Sequence, residues 1–348
     1  LSLDSATFTT CPSDDPSWLF QSSEINIKQD EGWGEAWNTV FKIADVPVLY
    51  VPYITFPLTD VRKSGLLFPE FGSSSRFGAY YAQPIYFNLA NNYDLTLTPV
   101  YMSQRGWQLE SNFRHLSESS ENILQLEYIN EDEQYVELEE RYLGFVQHES
   151  TLGKNWNLQV QWTELSDDNY ISEFKSDYHH QADTHLNNFV FLRYTTDTLQ
   201  FNLFTQDMAE LGQHDPSYKI PVQLDANWST FADGNGFKAQ LKTSYTQFSN
   251  NNKNVYKVDR LHLEPELSYQ YYQPSFQFES SISYLATRYE QEFKDDLNKN
   301  TVDRGVGKFR LLTGLSFEKQ TSYFGKNVRQ TLEPKLQYVY VESSEQSE

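Results

Sequence analysis

The chain contains no run of roughly eighteen consecutive apolar residues, so no transmembrane helix is encoded. It opens LSLDSATFTT, with no basic segment ahead of an apolar one. It is therefore expected to be cytosolic, or else the mature or internal part of an exported protein. Positive charge is scarce: 27 Lys and Arg face 48 Asp and Glu, for a net charge of −21. Nothing here would neutralise a phosphate backbone, which excludes a nucleic-acid partner. The balance suits a protein kept soluble by charge, or loops that face divalent cations. Cysteine occurs once, as Cys11 in TFTTCPSDD. It is either a free thiol or half of a disulfide to a cysteine outside this stretch. GxSxG, P-loop and GxGxxG motifs are missing, as are carboxylates at a recognisable catalytic spacing. No enzyme activity and no cofactor are expected.

What the chain does have is aromatic residues and alternation. It carries 24 Tyr, 24 Phe and 7 Trp, yet its mean hydropathy is −0.65. Residues 157–163 place Leu158, Val160 and Trp162 on one face and Gln159 and Gln161 on the other. The same period of two recurs at 199–203, 222–229, 237–245, 261–270 and 332–340, and helical periodicity is nowhere convincing. About fifteen such segments follow residue 64, averaging roughly ten residues, the length of a tilted strand crossing a bilayer. Connections alternate between short (90–92, 117–120, 195–197, 232–236, 273–275) and long (130–135, 165–185, 206–219, 249–257, 291–305). A longish stretch at 321–329 is the exception. Short turns at one end and long loops at the other are the habit of an outer-membrane barrel. Tyr80, Tyr81, Trp107, Tyr194 and Tyr271 fall toward strand ends, where aromatic girdles sit, although β-propensity accounts for part of this. A soluble sandwich also alternates, but with strands of about five or six residues. The expected class is all-β: a large antiparallel transmembrane β-barrel at 59–348, preceded by a smaller β-domain at 1–58 whose strand-like segments are shorter.

Two stretches invite a chemical reading. DYHHQADTH at 177–185 gathers His179, His180, Asp183 and His185, but in mid-loop without the rigid scaffold a metal site needs. A solvated loop is expected, and no metal. DDLNKNTVD at 295–303 has Thr301 where an EF-hand needs glycine and Gly307 where it needs glutamate, so it is not one. A third stretch, VPVLYVPYITFPLTDVRKSGLLFPEF at 46–71, is apolar and β-branched yet carries Pro47, Pro52, Pro57 and Pro69. Proline gives no N–H to a ladder.

Over residues 35–116 the elements AWN, VPVLYVPYITFPLTDVRKSGLLFP, QPIYFNLANNYDLTLTPVYMSQRG and FRHL occur in that order. LEPELSY and LEPKLQY follow later. This pattern resembles the LPS-assembly protein LptD family, lipopolysaccharide translocons of the Gram-negative outer membrane. The resemblance implies the end of a periplasmic β-jellyroll at 1–58, and at 59–348 the first half or so of a barrel of some twenty-six strands. A sheet of about fifteen strands cannot keep bare edges in lipid, so the chain is expected to be one piece of a longer protein. The implied function is transport and insertion of lipopolysaccharide into the outer leaflet. The implied partners are the plug lipoprotein LptE, the periplasmic bridge protein LptA and the barrel assembly machinery. Pro47, Pro52 and Pro57 are expected to stiffen the link between jellyroll and barrel. Pro69 and Pro84, in the expected first and second barrel strands, would weaken a seam that opens as a lateral gate; protection of a sheet edge is the alternative. The resemblance pairs Cys11 with a cysteine near the barrel's C-terminus. Ile25, Ile27, Val40, Phe41 and Ile43 are candidates for an acyl-chain groove, though an ordinary jellyroll core would need the same residues. The rival functions are a passive porin or TonB-type channel, and an outer-membrane enzyme with lumenal carboxylates.

Overall fold

The computed structural model describes residues 1–9, 11–12, 16–59, 62–137, 140–212, 217–230, 236–294 and 299–343. Two compact units emerge, Leu1–Ser117 with Asn122–Gly144, and Glu118–Glu121 with Phe145–Glu348. The class is all-β and antiparallel throughout, that of a large β-barrel preceded by a smaller sheet. Alternation of apolar and polar side chains dictates this: such a segment must turn one face to an apolar phase and one to a polar phase.

The first unit opens with a four-stranded sheet of β1 (Ser2–Phe8), β2 (Trp18–Lys28), β3 (Trp33–Ile43) and β4 (Val46–Pro57), in that order. These strands are longer than the sequence suggested. Polar residues extend them through cross-strand pairs such as Asn26 opposite Glu35, and Lys28 bonds Glu35 at 3.0 Å. Pro47, Pro52 and Pro57 do not form a link between domains: all three lie within β4. The physical reason is position. β4 is an edge strand, with one side free of any ladder, and there a missing N–H is tolerated.

Nineteen strand segments follow, where about fifteen were expected. Breaks beside Pro69, Pro84 and Pro334 account for three of the extra ones. In the first unit these are β5 (Gly65–Leu66), β6 (Glu70–Ser74), β7 (Gly78–Ala82), β8 (Ile85–Ala90), β9 (Tyr93–Met102), β10 (Gly106–Leu116) and most of β11 (Ser120–Ile129). β12 (Arg141–Leu152) leads into the second unit, with β13 (Trp156–Leu165), β14 (His185–Thr195), β15 (Leu199–Glu210) and β16 (Lys219–Ser229). β17 (Phe237–Ser249), β18 (Val255–Gln273), β19 (Phe276–Phe293) and β20 (Asn300–Leu315) continue it. From β13 to β20 each strand pairs with the next. β21 (Phe317–Tyr323) and β22 (Lys326–Leu332) form a hairpin, so 321–329 is paired strand around the two-residue turn Phe324–Gly325. β23 (Lys335–Val341) then returns to pair with β20. Glu333–Pro334 thus divides the single strand expected at 332–340. The turn expected at 232–236 lies almost wholly outside the described residues, as do 295–298 of the rejected calcium loop.

β18 shows the two faces best. Leu261, Leu263, Leu267 and Tyr271 are exposed on one side, and Ile282 and Tyr284 of β19 join them. On the other, Lys238, Gln240, Glu266, Ser268, Glu279 and Arg310 line a polar recess. The apolar band stops near Leu261, but β18 continues to Val255. Beyond it Lys257 bridges Asp259 (3.3 Å) and Glu292 (3.5 Å), and Lys299 reaches Glu292 (2.7 Å). These ion pairs lie where loops were expected at 249–257 and 291–305.

In the first unit, Asp132 in the 130–140 connection receives Arg105 (2.7 Å) and Arg141 (2.8 Å), all three nearly wholly buried. The Tyr135 ring lies 5.1 Å from each guanidinium. Removing the shared carboxylate would take a charged partner from two buried guanidiniums at once. Asp132→Ala is therefore expected to cost about 3–5 kcal/mol, measured by urea unfolding of the full-length protein in lipid vesicles, with Glu133→Ala near zero.

Candidate functional site

The five candidate groove residues do not share a wall. Val40 and Phe41 are successive residues of β3 and point to opposite faces. Phe41 stacks on Phe20 at 4.7 Å and meets Trp18 at 6.2 Å, and Ile43 pairs with Trp18. This is an aromatic face. Ile25 lies opposite Leu3 and Ala36, and Ala36 opposite Ile54, while Ile27 lies opposite Gly34. Val40 lies beyond Asn38, whose positive φ of 49° interrupts the alternation of β3, and it pairs with Gln21, which Lys42 bonds at 2.8 Å. The Phe56 ring occupies the space a side chain at position 34 would need. Cys11 is half-buried, with its N–H on the Thr9 hydroxyl at 3.1 Å.

The junction after β4 is held by charge rather than proline. Leu58 N–H donates to the Gly32 carbonyl at 3.0 Å. Lys63 Nζ sits 3.6 Å from the Trp33 ring centroid, on the four-stranded sheet. Its neighbour Arg62 reaches the other way, to Asp94 Oδ2 (2.8 Å) and the Asn91 carbonyl (2.7 Å). Arg114 grips the same Asp94 with two bonds, of 2.9 and 3.0 Å, and Tyr86 adds its hydroxyl at 3.1 Å. Asn88 donates its side-chain amide to the Arg62 carbonyl at 2.9 Å and its backbone N–H to the Ser64 hydroxyl oxygen at 2.8 Å. Sequence reasoning quoted DVRKSG and NYD as family elements but gave Arg62, Lys63 and Asp94 no role. The available signal was a cation pair placed directly after an apolar strand.

Pro69 and Pro84 sit between strand segments, not inside strands: Pro69 between β5 and β6, Pro84 between β7 and β8. The ladder accounts for this. β5 pairs with β8 through Gly65–Tyr86 and Leu66–Ile85, and β6 with β7 from Glu70–Ala82 onward, so the pairing slips by one residue between them. Toward β9, β7 and β8 keep one register from Tyr80 to Phe87, across Pro84, before it shifts between Phe87 and Ala90. Leu67 N–H donates to the Pro84 carbonyl at 2.9 Å, and Pro84 can return no bond. Gln83 N–H donates to the Pro99 carbonyl at 3.1 Å, and Pro99 can return none either. The Gln83 side-chain amide instead donates to the Leu67 carbonyl at 2.9 Å and the Pro84 carbonyl at 3.2 Å. Its oxygen accepts from Tyr81 Oη at 2.8 Å. Around the break Leu66, Leu67, Phe68 and Phe71 are exposed.

The 165–185 loop is largely exposed over its histidine-rich end, 177–185, and packed ahead of it. In the second unit it carries the single helical turn α1 (Tyr170–Glu173), with Tyr170, Ile171 and Phe174 buried, each burial stabilising by about 1.5–3 kcal/mol. Phe145 stacks on Tyr178 at 4.8 Å and meets His179 edge-on at 5.5 Å; His179 Nε2 lies 3.2 Å from Thr163 Oγ1. His180 and His185 are exposed. Among the described residues no three His, Cys, Asp or Glu side chains converge as metal ligands.

Residues 139–348 match the family described as LPS transport system D, and 37–118 the one described as LptD protein. An LPS-assembly protein LptD of Pseudoalteromonas translucida (strain TAC 125) is 39% identical over 350 residues, covering 100% of this chain and 47% of that protein. That of Pseudoalteromonas atlantica is also 39% identical, covering 100% and 46%, and that of Shewanella oneidensis 36%, covering 98% and 45%. The chain spans about half the length of the curated relatives it matches. Among solved structures, a bacterial polysaccharide outer membrane secretin aligns at 12% identity with a TM-score of 0.30, over 75% of this chain and 90% of that one, too remote to inform the fold.

Two outcomes follow from this geometry. Arg62 is half-exposed, so Arg62→Ala is expected to cost about 1 kcal/mol, whereas Asp94→Ala takes a shared partner from two guanidiniums at once and costs more; limited proteolysis of the 58–64 linker orders the two. Burial holds the His179 imidazole below the ordinary histidine range, against the smaller opposing pull of Asp183, while His180 works in the same direction as burial. The folded loop then binds fewer protons than the unfolded one. Its stability is complete at neutral pH and is lost as pH falls through about 6.5 toward the lowered value. Hydrogen exchange of residues 170–180 between pH 7.5 and 5 checks the sign, and His179→Phe removes the dependence.

Proposed function

The chain belongs to the LPS-assembly protein LptD family, and from that premise we propose that the protein of which it is part transports lipopolysaccharide and inserts it into the outer leaflet of the Gram-negative outer membrane. Residues 1–58 act as the end of a periplasmic jellyroll and 59–348 as barrel. The protein LptA delivers lipopolysaccharide to the jellyroll, the lipoprotein LptE plugs the lumen, and the barrel assembly machinery inserts the sheet. Cys11 bonds a cysteine near the C-terminus of the whole protein and so ties jellyroll to barrel. The apolar side bearing Ile25 and Ile27 receives acyl chains beside the small residues Gly34 and Ala36, and Val40, Phe41 and Ile43 flank it farther along β3.

The observation that carries this reading is the first barrel hairpin. A passive porin requires a uniformly bonded wall, because every lipid-facing N–H and C=O must find a partner within it. Here Pro84 and Pro99 each withhold a bond from neighbouring pairs, and the strand segments stop beside Pro69 and Pro84. A charged, sugar-bearing headgroup cannot cross hydrocarbon. A seam that parts lets it stay in the wet interior while the acyl chains slide into the bilayer. Edge protection alone would place proline on an open edge, as in β4, whereas Pro84 lies between β5 and β9.

The test replaces Pro69 and Pro84 with alanine in the full-length protein. Lipopolysaccharide is expected to accumulate in the periplasm, and surface delivery to fall at least several-fold. Delivery at the original rate would refute the gate.

A further inference from the structure

At one point the first hairpin is closed by a side chain instead of by backbone. Leu67 and Pro84 form a pair that should exchange two bonds. One exists, from Leu67 N–H to the Pro84 carbonyl at 2.9 Å. The reciprocal bond is impossible, because Pro84 has no N–H. The Leu67 carbonyl nevertheless has a donor, Gln83 Nε2, at 2.9 Å. The same nitrogen reaches the Pro84 carbonyl at 3.2 Å. Carbonyl oxygens cannot donate, so the amide must turn its nitrogen toward them and its oxygen toward Tyr81. Tyr81 Oη fills that oxygen at 2.8 Å and fixes the orientation. The backbone of Gln83 faces the opposite neighbour and donates to Pro99. This one residue therefore bonds the strand on each side, one through its main chain and one through its side chain.

We propose that Gln83 is the releasable bond of the gate: its side-chain amide stands in for the N–H that Pro84 lacks, and its rotation frees the first strand segment. This deepens the gate reading above and rests on it. A ladder bond breaks only when backbone moves. A side-chain bond breaks by rotation about χ angles, which is local and fast. Proline removes the permanent bond, and glutamine restores a reversible one. The first strand is thereby held when no lipid is present, yet a lipid headgroup or an acyl chain can compete for the amide or displace it. Gln83 touches no reacting atom; it is a positioning residue.

The test uses the full-length protein in its complex with the plug lipoprotein. Gln83→Leu removes the donor, and Gln83→Glu keeps the size and the Tyr81 acceptor but offers no donor when ionised. Both are expected to raise hydrogen exchange of the Leu67 amide by about tenfold or more. In a Pro84→Ala background the backbone N–H returns, and the same Gln83 substitutions are expected to change that exchange by less than about twofold. Equal effects in both backgrounds, or no effect in either, would overturn the proposal. Lipopolysaccharide delivery is read in parallel. If exchange follows the expected pattern while delivery is untouched in every variant, the latch stands and the gate reading falls. If delivery falls in Pro84→Ala but Gln83→Leu leaves exchange unchanged, the gate stands and the latch falls.

Discussion

Everything in this chain answers to one constraint: in hydrocarbon, a peptide group finds its hydrogen-bond partner within the protein or goes without. Alternating segments meet it by pairing each strand with the next, from β13 to β20 without interruption. The constraint also gives prolines their meaning. On β4 they face an open edge and remove little. In the first barrel hairpin they lie between two neighbours, where one missing donor leaves a carbonyl to be satisfied by other means. The same residue type removes little in one sheet and leaves a carbonyl to be matched in the next because the neighbours differ.

Carboxylates do the second part of the work. Asp94 and Asp132 each hold two arginines drawn from separate segments. Asp94 anchors the linker to β9 and β10. Asp132 pins a turn, a loop and the start of β12. A shared carboxylate is an economical clamp, since it fixes three pieces of chain at once and leaves a net positive charge. In a protein of net charge −21 such places stand out. With Lys63 on Trp33 and Arg62 on Asp94, consecutive cations join two sheets that have no ladder in common.

Faces were legible in the sequence, and partners were not. Period-two alternation at 157–163, 199–203, 222–229, 237–245 and 261–270 falls inside β13, β15, β16, β17 and β18. Alternation reports which side of a strand meets oil and which meets water, and nothing about what lies beside it. Hence Pro47, Pro52 and Pro57 read as a link although they belong to an edge strand, and the strand expected at 332–340 is divided at Pro334. Polar composition at 249–257 and 291–305 read as loop, but 255–257, 291–293 and 300–305 are paired strand, with ion pairs across it. The packing of Tyr170, Ile171 and Phe174 within 165–185 went unread because they are few among many polar residues; what gathers them is one helical turn. Gln83 could not have been found from periodicity, since its role follows from which carbonyl lies opposite the proline beside it.

The outer reach of β18 and β19 has a consequence for anything that meets this surface. From Leu261, where the exposed apolar band ends, to the strand start at Val255, the ribbon rises roughly 20 Å at about 3.4 Å per residue. The 250–254 turn is therefore carried on a stiff mast beyond the apolar band rather than on a slack tether. A partner that docks there would pull on paired backbone, and the strain would run straight down the ribbon.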